Sequence, residues 1–118
     1  MKARLGFITI LVVALSVSAL ADRREDAKAQ VAFGVQIALK GLWKDATTRF
    51  ENATALDPTY PSAWNNLGIG YEQLGRPEDA KKAYERALEL DPKDQYIRDN
   101  YQEFRLIYDR QKKSRGGK

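Results

Sequence analysis

The chain repeats itself. Sliding residues 27–60 onto 61–94, an offset of 34 residues, places Ala29, Gly34, Gly41, Asp45, Ala46, Glu51, Ala53, Leu56, Asp57 and Pro58 on identical residues. Apolar positions are echoed as well, with Phe33 on Leu67, Val35 on Ile69, Ile37 on Tyr71 and Phe50 on Tyr84. A period of this length means a unit that cannot bury its apolar face alone and must stack on its neighbours to build one continuous core.

Each unit reads as two helices joined by a turn. In the second copy Trp64, Leu67, Gly68 and Tyr71 sit at i, i+3, i+4 and i+7, one helical face with a glycine among large side chains. Gly68 costs roughly 1 kcal/mol of helix propensity against alanine, so its expected purpose is close approach of a second helix. Ala80, Ala83, Tyr84, Ala87 and Leu88 form the answering stripe, and Gly75 breaks the chain between the two. Pro77 suits a first helical turn, Glu78 and Asp79 complement its amino-terminal dipole, and Asp91-Pro92 closes the unit.

These residues resemble the tetratricopeptide repeat. Its W-x2-L-G-x2-Y pattern is present as Trp64, Leu67, Gly68 and Tyr71, followed by Ala80, Tyr84, Ala87 and Pro92 at the family's spacing. The first copy fits through Phe33, Gly34, Ala46, Phe50, Ala53 and Pro58, with Gln30 at the tryptophan position and Ile37 at the tyrosine position. The implied fold is an all-α helical-hairpin solenoid of about five helices, with repeats at 27–60 and 61–94 and a capping helix at 95–112. Within repeat 1 the pattern predicts a first helix from Ala29 to about Lys40 and a second from about Trp43 to Leu56, where Trp43 reads as a core residue bridging helices. The link Asp57-Pro58-Thr59-Tyr60-Pro61 is stiffened by its two prolines.

Beyond Pro92 a third unit starts and does not finish. Asp94 is a plausible cap for a long helix whose apolar face is Ile97, Tyr101, Phe104 and Tyr108. Arg98, Gln102 and Arg105 stand where Trp64, Gly68 and Tyr71 stood one repeat earlier. They are polar because no partner helix follows, as the solvating end of a solenoid requires. Two and a half repeats fall short of the roughly three that confer independent stability, so the fold is expected to be marginal unless it self-associates or docks.

At the amino terminus, Lys2 and Arg4 precede the apolar run Leu5 to Val17, and Ser18-Ala19-Leu20-Ala21 ends it with small residues. Residues 1–21 thus have the layout of a secretory signal peptide cleaved before Asp22, which implies a periplasmic or secreted protein. The alternative is an uncleaved membrane anchor over residues 5–21. Residues 22–28, DRREDAK, read as a charged spacer. The tail from Arg110 holds five basic residues and no acid, and residues 113–118 read as basic and disordered. Without the leader the net charge is 18 − 16, or +2, whereas residues 22–109 alone give 13 − 16, or −3. Basicity is therefore confined to the ends, and an acidic body argues against a nucleic-acid partner.

Several chemistries are removed by composition. Without cysteine there is no disulfide, no thiolate metal site and no lipid-modified leader. Histidine, the commonest general base and metal ligand, is absent too. Beyond the leader only Ser62 and Ser114 remain as serines, neither with an activating partner in sequence. No cofactor, metal or catalytic residue is expected, and an enzyme is the least favoured class. Asn52-Ala53-Thr54 matches a glycosylation acceptor but lies inside an expected helix, so it carries little weight.

In the family, the first helices of successive repeats line a concave groove that holds a peptide or partner helix. Carried over by position, the groove comprises Lys28, Val31, Val35, Ala38 and Leu39, then Asn65, Ile69, Glu72 and Gln73, then Tyr96, Asp99, Glu103, Leu106 and Ile107. Asn66 matches a family asparagine. Burial of Val31 and Val35 against another copy, or against the amino-terminal segment, is the alternative to partner binding there. Some family members clamp the carboxylate of an acidic tail with basic and amide residues, and Val31 and Val35 replace that clamp's lysine and asparagine. The resemblance therefore implies a scaffold or adaptor for another protein, without affinity for free acidic carboxyl-terminal tails; self-assembly through the first repeat is the structural alternative.

Overall fold

Two glycines set the corners. Gly41 and Gly75 both adopt left-handed backbone, with φ of 78° and 70°, a conformation open to glycine at little cost. At each corner paired backbone bonds close the preceding helix: Gly41 N to Ala38 O and Leu42 N to Ile37 O, then Gly75 N to Glu72 O and Arg76 N to Tyr71 O. This is the Schellman arrangement, which satisfies carbonyls left open at a helix end. In the computed structural model, which describes the backbone of residues 2–117 and the side chains of 16–117, the helices are α1 (Lys2–Leu39), α2 (Trp43–Leu56), α3 (Pro61–Gln73), α4 (Pro77–Leu90) and α5 (Gln95–Gly116). Pro61 and Pro77 occupy the first turns of α3 and α4, and the Asp94 carboxylate caps α5 by accepting from Ile97 N at 3.0 Å.

Packing repeats with the sequence. A Cβ placed on Gly34 would lie 2.6 Å from the Phe50 ring, and one on Gly68 would lie 2.9 Å from the Tyr84 ring. Each glycine lets the first helix of a hairpin rest directly on the aromatic ring of the second. Three apolar clusters follow one another along the stack. Ala27, Val31, Ala53 and Ala63 form the first, Ala46, Phe50, Leu67 and Ala83 the second, and Ala80, Tyr84 and Phe104 the third. Trp64 packs against the second cluster and donates its indole N–H to Pro58 O at 2.8 Å, tying α3 to the link before it. Trp43 is half-buried.

Two expected segments are built differently. Residues 22–28 are helix rather than spacer, because Ala27 is fully buried against repeat 1 and Arg24 binds the Asp57 carboxylate. Arg24 also donates to Thr59 O and Oγ1, both at 3.2 Å, and lies over the Tyr60 ring. At the other end, residues 113–116 continue α5, with Lys113 and Arg115 in its last turn complementing the dipole. The side chains of residues 1–15, most of the expected leader, lie outside the described residues. Among the described residues, no helix is long and apolar enough to cross a membrane.

Candidate functional site

The first helices of the successive units, α1, α3 and α5, pack side by side and make the face expected to be concave. Its groove positions do not all reach the surface. Val31, only 8% exposed, belongs to the first core cluster, with Val35 packed beside it. Their side chains are covered by Ala53, Ala63, Leu56 and Tyr60, so this part of the expected groove is core. Asn65 is 1% exposed and accepts a hydrogen bond from the Asn100 amide at 3.2 Å. It ties α3 to α5 instead of displaying an amide. Asn66 bonds back to Ser62 O at 2.8 Å on its own helix. Leu39 is 76% exposed at the far end of α1.

The remaining positions do converge. Ile69 and Glu72 of α3 meet Asn100, Glu103 and Ile107 of α5 around a cleft of about 220 Å³ whose lining also includes Tyr84 and Phe104. Tyr96, 65% exposed, stands apart from them beside a second hollow with Asn65, Asp91 and Asp94. Asp99 is exposed and accepts from the Gln95 amide at 2.6 Å.

Chemically, the cleft is apolar below and acidic at its rim. The rings of Tyr84 and Phe104 lie 5.4 Å apart, and Tyr101 and Tyr108 extend the aromatic stack along α5. Glu72 is half-buried and accepts the Tyr84 hydroxyl at 2.5 Å. Burial pushes the Glu72 carboxyl up, the Tyr84 bond pulls it back, and the charge of Glu103 pushes it up again, leaving it above its ordinary value. The Tyr84 hydroxyl is raised well above the ordinary range, first by burial and then by its bond to Glu72. Among the described residues, no group of three or more acidic side chains is arranged to hold a metal ion.

Sequence reasoning missed Tyr84 and Asn100 as cleft residues. Tyr84 was legible as a core aromatic, yet only the tertiary fold shows its hydroxyl emerging beneath Glu72. Asn100 repeats Asn66 at the 34-residue offset, yet only the tertiary fold brings its amide to Asn65 of the preceding unit.

This architecture defines a right-handed stack of helical hairpins, a class built for display of a concave surface. Comparison with known proteins gives the family: residues 61–94 match the tetratricopeptide repeat and residues 38–75 match the TPR repeat. Residues 38–94 thus carry tetratricopeptide repeats. Superkiller protein 3 of Schizosaccharomyces pombe is 40% identical over 53 residues, which is 45% of this chain and 4% of that protein. The chloroplastic tetratricopeptide repeat domain-containing protein PYG7 of Arabidopsis thaliana is 34% identical over 77 residues, 65% of this chain and 26% of that protein. The chain thus spans about a quarter or less of these relatives. In fold it is similar to pilF of Pseudomonas aeruginosa, at a TM-score of 0.71 and 24% identity over 75% of this chain and 40% of that one. It is equally similar to the second TPR of Spaghetti (RPAP3), a structure with bound HSP90 peptide SRMEEVD, at a TM-score of 0.71 and 16% identity over 84% of this chain and 91% of that one.

Proposed function

We propose that this protein is a non-catalytic interaction scaffold of the cell envelope or the secreted fraction, holding a peptide or partner helix in its concave face. The observation that carries the reading is the cleft between α3 and α5, where Ile69, Glu72, Glu103 and Ile107 meet over aromatic rings. The exported setting rests on the signal-peptide layout of residues 1–21. A fold neighbour holds an acidic HSP90 peptide. Here the corresponding clamp positions are Val31, buried, and Val35, half-buried, side chains without charge, so the partner is of another kind.

A second reading, self-assembly, draws on Phe33, Leu39 and Leu42, large apolar side chains exposed on the first hairpin where a preceding unit would stack. A third, membrane anchorage, draws on the unbroken course of α1 from Lys2 to Leu39, which would join an uncleaved leader rigidly to the first repeat. Intact mass after fractionation of the exporting host separates these readings. A mass starting at Asp22 in the soluble envelope or secreted fraction supports the free scaffold, and a full-length mass in membranes supports the anchor. Crosslinking with wild type and Ile107→Arg then tests the groove, because Ile107 is 55% exposed and its replacement leaves the core intact. Partners retained in full by that variant would refute groove binding.

A further inference from the structure

We infer that the cleft between α3 and α5 receives a basic amphipathic segment, one that places a lysine or arginine beside a large aliphatic side chain. This rests on the concave face being the docking surface and adds the chemistry of what docks there.

Glu72 and Glu103 face one small volume, and none of the residues lining it is a lysine or arginine. Burial disfavours ionisation of Glu72, and the charge of Glu103 adds to that penalty. The tyrosine hydroxyl below Glu72 satisfies one lone pair and brings no charge. On the neighbouring helices Arg105 bonds Asp109 and Tyr101, Arg76 pairs with Asp79 and Lys112 pairs with Glu78, while Arg115 lines an adjoining hollow that shares Glu72, Phe104 and Ile107 with the cleft. A cation supplied from outside would relieve the repulsion and form charge-assisted hydrogen bonds to both carboxylates. The rest of the lining is Ile69, Ile107 and two aromatic rings. That surface is covered by an aliphatic side chain, which a purely basic stretch lacks. An acidic segment would bring a third negative charge into a partly dehydrated cleft and is excluded by the same repulsion.

The test is fluorescence anisotropy on the full chain with three labelled synthetic peptides of equal length. One is an amphipathic helix of leucine and lysine, one has the same pattern with glutamate for lysine, and one is oligolysine. The leucine–lysine peptide is expected to bind saturably, oligolysine weakly and the leucine–glutamate peptide not at all. Glu103→Gln, at an exposed position, is expected to weaken the leucine–lysine peptide about tenfold, the equivalent of one charge-assisted hydrogen bond. Glu89→Gln, outside the cleft and paired with Arg86, is expected to leave binding unchanged. Equal losses in the two variants, or equal binding of the lysine and glutamate peptides, would overturn the basic preference. Ile107→Arg tells which premise failed: if it abolishes peptide binding while Glu103→Gln does nothing, docking stands and the charge argument falls. If neither variant changes binding, the cleft is not the docking surface. A concentration-dependent mass in light scattering, abolished by Ile107→Arg, would assign the cleft to a second copy and overturn the proposal.

Discussion

Gly70→Ala sets a local rule against a tertiary one. Gly70 lies in α3 and is buried. By helix propensity alone, alanine there should stabilise by about 1 kcal/mol. The added Cβ, however, would stand 2.4 Å from Thr47 Oγ1, 3.2 Å from Thr47 Cβ and 3.3 Å from Thr47 Cγ2. Thr47 is itself fully buried on α2, and its hydroxyl donates to Trp43 O at 2.7 Å. Rotating that hydroxyl away forfeits a hydrogen bond of about 1 kcal/mol. Holding it in place means spreading α2 from α3, an overpacking cost of about 1–3 kcal/mol. The net expectation is a loss of about 1–3 kcal/mol, read as a lower urea midpoint by circular dichroism, or a melting temperature lower by about 4–8 °C for each kcal/mol. The mechanism is checked by a cycle with Thr47→Ala, which removes both Oγ1 and Cγ2. In that background the penalty of Gly70→Ala should shrink by at least about 1 kcal/mol. A wild-type background in which Gly70→Ala raises the midpoint, or a cycle with no coupling, would refute the reasoning.

Four further outcomes are expected. Phe104→Ala removes the ring that joins Tyr84, Tyr101 and Tyr108, at a cost of about 3–5 kcal/mol, and hydrogen exchange should show α5 losing protection before α2 and α3. Tyr84→Phe leaves Glu72 half-buried without its donor and should lower stability by about 1–2 kcal/mol, measured by urea titration at neutral pH. Arg24→Ala, by breaking the link to Asp57 and Thr59, should cost about 1–2 kcal/mol. Burial pushes Asp57 up, but bonds from Arg24 and Thr59 outweigh it and hold the carboxyl below its ordinary 3.8. Its contribution is therefore complete above the unfolded value and lost as pH falls through the lower folded one, so Asp57→Asn should flatten the acid limb of a stability–pH curve.

The helical hairpins were legible in the sequence because their determinants are local and repeated. A glycine at a corner, a proline in a first turn, an aspartate cap and an apolar stripe at helical spacing each act within a few residues of themselves. Gly34 and Gly68 were legible for a related reason: a costly residue recurring at the same register points to close approach, and the Phe50 and Tyr84 rings occupy that space. The groove was legible only at one end. Val31 and Asn65 hold equivalent positions one repeat apart, and both are withdrawn from the surface by neighbours distant in sequence, Ala53 and Ala63 for the first and Asn100 for the second.

Residues 22–28 show the same division. Their mixed charge says solvated, and most of them are; Ala27 and Arg24 are structural because the link some 30 residues on presents an apolar surface and a carboxylate to them. Likewise Gly70, outside the repeat pattern, matters because of one threonine in the preceding helix. The sequence by itself determined the period, the helices, their ends and the aromatic rings on which the glycines rest, since these follow from short-range sterics and hydrogen bonding. Only the tertiary structure decided which concave side chains stay exposed and which carboxylates share a cleft, because burial and charge depend on helices that meet across the stack, and no local window contains both partners.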